Sequence, residues 1–203
     1  MKILHIDSSI SGIHSVSRKL SAAVVRRLSS LTASPSLVYR DLAANPVPQF
    51  SPEVALAASA ADTNVATPDG VVLQTVLSEV MEADVIVVGA PMYNFSVPSQ
   101  LKSWLDAIVV PGKTFRYTTA GVEGLLVGKR VIIASARGGV YSPGSPAAAA
   151  EHQESFLLSL FGFLGIRDIE VVRAEGVRMG EELAAAAMAA ALDQAEHLEL
   201  TPA

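Results

Sequence analysis

Apolar and polar positions divide the chain into two alternating kinds of segment. Five short apolar runs predict strands at residues 2–7, 36–40, 84–90, 131–135 and 169–172. Apolar residues at helical spacing predict helices at residues 16–31, 53–61, 68–83, 97–110, 147–161 and 181–198. Because strands alternate with helices, we expect an α/β protein with a parallel sheet and right-handed crossovers.

The third apolar run, residues 84–90, has the composition of a strand that is buried on both faces. It ends in Pro91-Met92-Tyr93-Asn94-Phe95, and a helical pattern begins directly afterwards, with Ser96 as its expected cap. The five residues therefore form a turn at the carboxyl end of a strand, where open α/β sheets bind ligands. Two aromatic side chains, a methionine and backbone amides would suit a planar ring ligand. Packing of an apolar turn explains the same five residues about as well.

Hydroxyl side chains crowd the segment that follows the first strand. Residues 8–17 are dense in serine, and the next helix has Ser15 as its natural cap. The free N–H groups and the positive dipole end at that helix start favour an anion, and Ser9, Ser15 and Ser17 add donors. We interpret the segment as a phosphate site without a Walker lysine, with simple helix capping as the alternative.

Two further segments carry candidate chemistry. Residues 113–128 are predicted to be an irregular excursion that contains Phe115 and Tyr117, and such loops are typical of lids, binding loops or partner contacts. A solvated surface hairpin is the alternative. After the fourth strand, Ala136-Arg137-Gly138-Gly139 leads towards Tyr141. Its paired glycines permit positive φ and a close approach to a ligand, and a turn without a ligand would accept them too.

Length and composition limit the possible functions. The 203 residues are 50% hydrophobic and 17% charged, which suits one domain spanning residues 1–203. A net charge of -5 disfavours a nucleic-acid surface, and the lack of cysteine excludes disulfides, thiolate nucleophiles and zinc–thiolate sites. Asp7 comes too early for a signal peptide, and no apolar stretch approaches about 18 residues. We therefore expect a soluble, cytoplasmic protein with no membrane partner.

Other chemistries have little support. The four histidines are His5, His14, His152 and His197. They show no metal-ligand spacing, and no carboxylate cluster supplies a hard-cation site, so we predict no bound metal. No G-x-S-x-G elbow is present, which disfavours a serine hydrolase.

Five βα units fit a flavodoxin-like fold, a doubly wound five-stranded parallel sheet of strand order 2-1-3-4-5. In that order strands one and three flank the switch point at which flavodoxins bind FMN. The serine-rich segment, the turn at residues 91–95 and the turn at residues 136–139 would then meet at one edge of the sheet. Their chemistry suits a phosphate, the faces of a ring and the edge of a ring.

Longer motifs of the chain resemble a known family. These motifs are Ser9 with Ser15-Val16-Ser17, the run PMYNFSVPSQLKSWLD from Pro91, the run GKTFRY from Gly112, and Arg137-Gly138-Gly139. Together they resemble the motifs of the FMN-dependent NADH azoreductases and NADH:quinone oxidoreductases. The resemblance implies that Ser9, Ser15, Val16 and Ser17 hold the FMN phosphate, that Pro91, Met92, Tyr93, Asn94 and Phe95 hold the ring, and that Ala136, Arg137, Gly138 and Gly139 close on its polar edge. Phe115, Tyr117 and Tyr141 are expected on the substrate side. Ala136 and Val16 depart from the family pattern, which carries a serine at the first position and often a polar residue at the second.

The resemblance also implies a function. NADH would deliver hydride to noncovalently bound FMN, and a quinone or an azo compound would receive it in a ping-pong mechanism, with no catalytic acid among the side chains. The family implies a homodimer with the site at the subunit interface. An NAD(P)H-dependent FMN reductase, a flavodoxin-type electron carrier and a non-enzymatic interaction domain are the alternatives.

Overall fold

The computed structural model describes residues 1–52 and 67–200, so the helix predicted at residues 53–61 lies outside the described residues. In this part the strands are β1 (Lys2–Asp7), β2 (Ser36–Asp41), β3 (Val85–Pro91), β4 (Phe115–Thr118), β5 (Gly121–Gly124), β6 (Arg130–Ala136) and β7 (Asp168–Ala174). The helices are α1 (Val16–Ser30), α2 (Pro68–Glu82), α3 (Ser99–Ile108), α4 (Glu154–Phe163) and α5 (Glu181–Glu196). None of these helices is long and apolar enough to cross a membrane.

Five of the strands form a parallel sheet in the spatial order β2-β1-β3-β6-β7. Counted among the five predicted strands, this order is 2-1-3-4-5, so the predicted strand order is confirmed. Asp7 pairs with Gly89, and Ala136 lies between Pro91 and Ala174. The carboxyl ends of the strands therefore lie along one edge of the sheet, and the loops that follow them emerge there.

Alternate residues of the strands enter two hydrophobic cores. From β3, Ile86 and Val88 pack with apolar side chains of α2, α3 and α4, whereas Val85 and Val87 pack with those of α1 and α5. Successive side chains of a strand point to opposite faces, so helices cover both faces of the sheet. All seven residues of β3 are buried, and each fully buried Val or Ile contributes roughly 1.5–3 kcal/mol to folding.

The helix after β3 begins later than its spacing predicts. Its N-cap is Pro98 rather than Ser96. Ser96 is not available as a cap because it pairs with Tyr93 in a short bridge directly after β3. The chain therefore completes a tight turn at the carboxyl edge of the sheet before α3 starts.

The helix predicted from residue 147 begins only at Glu154, and a single 3₁₀ turn, Ala148–Ala150, precedes it. The reason lies in Glu151, whose carboxylate accepts hydrogen bonds from the backbone amides of residues 153, 154 and 155 at 2.7–3.0 Å. These amides have no intrahelical partner at a helix start, so a carboxylate one turn earlier defines where the helix begins.

Residues 113–128, predicted to be an irregular excursion, contain the antiparallel hairpin β4–β5. α3 runs back from the carboxyl edge of the sheet, and the hairpin that follows it lies near the amino edge, before β6 begins. There, Leu126 N donates to Leu164 O at 2.8 Å in the segment that leads into β7. Phe115 is buried against Phe163, with 4.8 Å between the ring centroids.

Gly89 in β3 lies against Asp7 of the neighbouring strand β1. A Cβ atom at residue 89 would lie 2.2 Å from Asp7 Oδ1 and 3.2 Å from Ser21 Oγ. Asp7 is not free to move aside, because Ser21 and Tyr39 donate to its carboxylate at 2.8 and 3.1 Å. We expect Gly89→Ala to lower the free energy of unfolding by roughly 1–3 kcal/mol, measured by urea denaturation.

Gly162→Ala in α4 is the matched control, because no atom outside its own helix lies within 4 Å of the added Cβ. Alanine is favoured over glycine inside a helix by up to about 1 kcal/mol, so this variant should be at least as stable as the wild type. Equal stability losses in both variants would contradict the close contact as the cause.

Candidate functional site

Loops that leave the carboxyl edge of the sheet surround a small cavity of about 100 Å³. The lining residues from the three predicted loops are Ser9, Ser11, His14, Ser15, Val16, Ser17, Pro91, Met92, Tyr93, Ala136 and Gly138. Val177 and Arg178, from the loop after β7, complete the lining. The structure therefore brings together residues of all three loops that the sequence analysis selected.

A second cavity, of about 610 Å³, opens beside the first and shares five lining residues with it: Ser11, Met92, Tyr93, Gly138 and Arg178. Its further lining residues are Ile10, Asn94, Phe95 and Tyr141. Phe95 and Tyr141 meet edge to face, with 6.2 Å between their ring centroids. The volume and the aromatic lining suit a flat ring ligand.

The turn after β3 holds an aromatic side chain on a strained backbone. Tyr93 N donates to Ser96 O at 2.9 Å, and Ser96 N donates to Tyr93 O at 3.1 Å. Between them, φ is 49° at Asn94 and 72° at Phe95, and positive φ at both central residues is the signature of a type I′ turn. Asparagine tolerates this conformation, whereas a bulky aromatic residue pays roughly 1–2 kcal/mol. His152 N donates to Phe95 O at 3.1 Å and holds the turn from the side of α4.

Hydroxyl groups of the serine-rich segment lie around the start of α1. Ser15 caps that helix, as predicted, by accepting a hydrogen bond from Arg18 N at 3.2 Å, and Ser15 Oγ lies 3.1 Å from Ser17 Oγ. Ser9 Oγ lies 3.2 Å from the Tyr93 hydroxyl, which joins the serine-rich segment to the turn after β3. All three serines are buried, so their hydroxyls and the free amides of α1 form one compact group of donors.

Arg18 holds Ser9 in position through the backbone. Its Nε and Nη2 atoms donate to Ser9 O at 3.2 and 2.8 Å, while Nη1 and Nη2 donate to the Asp41 carboxylate at 2.7 Å each. The hydrogen bond from Arg18 lowers the pKa of Asp41, and the same bond raises the pKa of Arg18. Because Asp41 is the last residue of β2, this pair ties the serine-rich segment to the edge of the sheet.

The Arg137 side chain lines neither cavity, whereas its neighbours Ala136 and Gly138 in the same turn line the small one. Only 1% of the residue is exposed, and its guanidinium lies 2.8 Å from Glu154 Oε1, 3.2 Å from Glu151 Oε1 and 3.6 Å from Glu175 Oε2. Arg137 Nε also donates to Gln153 Oε1 at 3.1 Å. A buried cation needs such partners. The Arg137 side chain therefore supports the turn after β6 from the interior of the protein.

Gly139 does not have the positive φ that the sequence analysis allowed. Gly176 N donates to its carbonyl at 2.9 Å, so the backbone here continues towards the loop after β7 instead of turning back. An added Cβ would meet the Tyr141 ring at 3.3 Å. A side chain at residue 139 would therefore require the Tyr141 ring to shift by a few tenths of an ångström.

Phe115 and Tyr117, expected on the substrate side, line neither cavity of their own chain. Both belong to β4, near the amino edge of the sheet, while the cavities lie at the carboxyl edge. Phe115 is buried, and Tyr117 is 76% exposed. Tyr141, the third residue expected on that side, does line the larger cavity.

Charged groups are unevenly distributed around the two cavities. None of the described lining residues is Asp or Glu, and Arg178 is the only Lys or Arg among them. His14 lines the small cavity from an exposed position. Within residues 1–52 and 67–200, no group of three or more His, Asp or Glu side chains is arranged to hold a metal ion. The lining thus offers hydroxyl donors, aromatic rings and one guanidinium.

Arg178 was not among the predicted site residues, although the sequence contains a signal for it. β7 ends at Ala174, and its loop emerges at the same edge of the sheet as the other three loops. Because ligands bind at the carboxyl ends of parallel strands, the end of the fifth predicted strand indicates this loop as well. Arg18 and Asp41 leave no such signal, because their pairing depends on how α1 packs beside β2.

Comparison with known proteins decides the family. The sequence model of a family described by its flavodoxin-like fold matches residues 1–198. The chain belongs to this family. It is 53% identical over 200 residues to a protein of Bradyrhizobium sp. (strain BTAi1 / ATCC BAA-1182) named FMN-dependent NADH:quinone oxidoreductase, and the match covers 98% of this chain and 99% of that relative.

Solved azoreductase structures are similar to this chain over nearly its whole length. An azoreductase from Bacillus anthracis str. Sterne is similar with a TM-score of 0.84 and 29% identity, covering 98% of this chain and 100% of that chain. An FMN-dependent NADH-azoreductase from Bacillus anthracis str. Ames Ancestor, solved in complex with FMN, has a TM-score of 0.83 and 26% identity, covering 96% and 95%. The resemblance inferred from the motifs is therefore confirmed.

We expect the Arg18–Asp41 pair to contribute to the stability of the fold, and this contribution should depend on pH. Because the folded-state pKa of Asp41 lies below its ordinary value of 3.8, the contribution is complete above that value and is lost as the pH falls through the lowered pKa. We expect Asp41→Asn to lower the free energy of unfolding by about 1–2 kcal/mol at neutral pH and by less at about pH 3. Urea denaturation of the variant and the wild type at both pH values measures the difference.

Glu123→Gln is the matched control. Arg116 holds Glu123 through two hydrogen bonds of 2.7 and 3.0 Å, but this pair lies on the exposed hairpin. Solvent screens such a pair, so its loss should change stability less than the loss of Asp41 at neutral pH. If Asp41→Asn were as costly at pH 3 as at pH 7, the ionised carboxylate would not be the source of the contribution.

Proposed function

We propose that the protein is an FMN-dependent NADH:quinone oxidoreductase that also reduces azo compounds. The observation that carries the proposal is the 3.2 Å contact between Ser9 Oγ and the Tyr93 hydroxyl, which joins a group of hydroxyl donors to an aromatic cavity. One side suits a phosphate and the other a flat ring, and FMN contains both. The names of the relatives support the same cofactor, donor and acceptors.

The residues of the two cavities fit FMN. Buried hydroxyls at a helix start supply donors for phosphate oxygens, and the turn after β3 supplies flat and apolar contacts for a ring. We assign the phosphate to Ser9, Ser15, Val16 and Ser17, the ring to Pro91, Met92, Tyr93, Asn94 and Phe95, and the polar ring edge to Ala136, Gly138 and the backbone of Arg137 and Gly139. The chain has no cysteine for a thioether, so the cofactor is held noncovalently.

When bound, FMN supplies the redox chemistry by taking hydride from NADH and delivering it to a quinone or an azo bond. The side chains of this protein bind and orient. Phe95 and Tyr141 form an aromatic wall of the larger cavity, which orients a flat donor or acceptor and keeps water from its face. No lining side chain is assigned as a catalytic acid, so water protonates the product.

The turn that we assign to the ring lines the larger cavity, and both substrates need direct access to that ring from within this cavity. Donor and acceptor therefore use this cavity in succession, which is a ping-pong mechanism. The alternatives differ in their kinetics. A flavodoxin-type carrier binds FMN without rapid NADH oxidation, and an FMN reductase releases the flavin as its product.

Titration and steady-state kinetics test this function. Apoprotein should bind FMN saturably, and the holoprotein should oxidise NADH when a quinone is added. Varying NADH at several quinone concentrations should give parallel double-reciprocal lines, because the two substrates exclude each other. Intersecting lines with a demonstrable ternary complex would require two separate substrate sites, and an apoprotein that ignores FMN would remove the proposal altogether.

A substitution at Ser17 tests the proposed phosphate site directly. One hydrogen bond to a charged phosphate contributes about 1.5 kcal/mol, so Ser17→Ala should raise the Kd for FMN roughly tenfold. Ser30→Ala, at the other end of α1, is the matched control and should leave the Kd unchanged. Unchanged FMN affinity in Ser17→Ala would exclude this hydroxyl from the phosphate site.

We also propose a homodimer with the site at the subunit interface. Tyr117 projects from a hairpin that lies near the amino edge of the sheet, away from the cavities of its own chain, and is 76% exposed. An aromatic side chain that acts on the substrate side must then serve the site of a partner subunit. The family resemblance supports the same arrangement.

Light scattering should give twice the chain mass of 21.2 kDa. Tyr117→Ala should raise the KM for the quinone while the protein retains FMN, because the lost contact is to the substrate. A monomer with full activity would contradict the shared site.

Three broader features complete the proposal. We infer one domain over residues 1–203, and we interpret the sheet as doubly wound because helices pack on both of its faces. We place the protein in the cytoplasm, where NADH is available. The net charge of -5 is the reason that no nucleic-acid partner is proposed.

A further inference from the structure

Arg178 lies across the turn that follows β6. Its backbone N–H donates to Gly138 O at 3.0 Å, and its side chain runs along the same glycine. A Cβ atom at residue 138 would lie 3.4 Å from Arg178 Cδ and 3.5 Å from Cγ. Glycine at this position therefore leaves room for the arginine stem, which places the guanidinium beside both cavities.

The charge of Arg178 is not neutralised within the described part of the chain. Its neighbours Arg137 and Arg173 both pair with Glu154, at 2.8 and 2.5 Å. Among residues 1–52 and 67–200, no carboxylate lies within ion-pair distance of the Arg178 guanidinium, and neither cavity has a carboxylate in its described lining. An exposed, unneutralised cation is thus held at the cavity mouth of a protein whose net charge is -5.

The position and chemistry of this group define what it can bind. A guanidinium presents paired N–H donors that match carboxylate, sulfonate and phosphate oxygens. Arg178 stands at the opening of the cavity that Phe95 and Tyr141 line, so a molecule whose ring enters that cavity would carry its anionic group outwards to the guanidinium. The overall negative charge would otherwise repel such a molecule.

We propose that Arg178 forms an anion-binding subsite at the mouth of the larger cavity, which binds the anionic group of the molecule whose ring stacks inside. This inference rests on the proposed function, because it concerns the substrates of the same site. The anion has two possible sources: the diphosphate of NADH, or a sulfonate or carboxylate on the acceptor. Arg178 thereby favours acidic acceptors over neutral ones of the same ring system, or favours the dinucleotide itself.

The test uses the FMN-loaded holoenzyme and three variants. Arg178→Gln removes the charge, and Arg178→Lys keeps it without the planar donor pair. Arg167→Gln removes an exposed cation directly before β7, at the opposite end of that strand, and is the control for net charge. The acceptors are 1,4-naphthoquinone and 1,4-naphthoquinone-2-sulfonate. The ratio of their kcat/KM values in each variant, divided by the wild-type ratio, cancels their different intrinsic reactivities.

If the acceptor supplies the anion, Arg178→Gln should lower the sulfonate-to-neutral ratio about threefold to tenfold, Arg178→Lys should lower it less, and Arg167→Gln should not lower it. The effect should become smaller as the salt concentration rises from about 0.05 M to about 0.5 M, because salt screens the attraction between exposed charges. If NADH supplies the anion, kcat/KM for NADH should fall by a similar factor while the acceptor ratio stays constant. Either result supports the subsite and names its ligand.

A result in which neither quantity differs from the Arg167→Gln control would overturn the proposal. So would a loss of FMN affinity as the principal effect of Arg178→Gln, since the guanidinium would then hold the cofactor. Both outcomes are distinct from failure of the proposed function, in which the wild type itself would not bind FMN or oxidise NADH with either quinone.

Discussion

The rest of the structure depends on the complete burial of β3 between two cores. Its alternate side chains pack with helices on opposite faces, so a shift of one residue would exchange the two sets and move every side chain to the wrong core. Register with β1 and β6 is strongly determined in this way. Asp7, Pro91 and Ala136 consequently end their strands at one edge, and the sheet brings the loops that begin there together.

Polar side chains then hold these loops in position. Gln153 Nε2 donates to Ala90 O at 2.6 Å, while its Oε1 atom accepts from Arg137, so one buried amide joins the ends of β3 and β6. On the other side, Arg18 joins Ser9 to Asp41. The positive φ of Phe95 is maintained by contacts of its own turn, the paired hydrogen bonds between Tyr93 and Ser96 and the one from His152 N to Phe95 O. A site that is held in this way needs little reorganisation to bind a rigid planar ligand.

The sequence predicts this structure best where local pattern and global topology agree. The apolar run of β3, the cap at Ser15 and the βα alternation each follow from spacing, and together they place three of the loops correctly. The side chain of Arg137 could not be placed in the same way, because its motif does not reveal that Glu151 and Glu154 would surround it. The edge of the sheet at which Tyr117 lies could not be predicted for a related reason: aromatic composition suggests binding, while only the path of the chain shows where its hairpin lies.

The ion pairs of the fold also determine the charge of the site. An acidic protein that binds a phosphate must keep its carboxylates away from the donors, since like charges within a few ångströms oppose each other strongly at low dielectric. Asp41 is held by Arg18, and Glu154 is held by Arg137 and Arg173, so these two acidic groups face cations of the scaffold. The role of the buried Arg137 is thus to pair with the carboxylates of Glu151 and Glu154. Arg137 pairs with carboxylates beneath the turn after β6, while serine hydroxyls and Arg178 line the cavities.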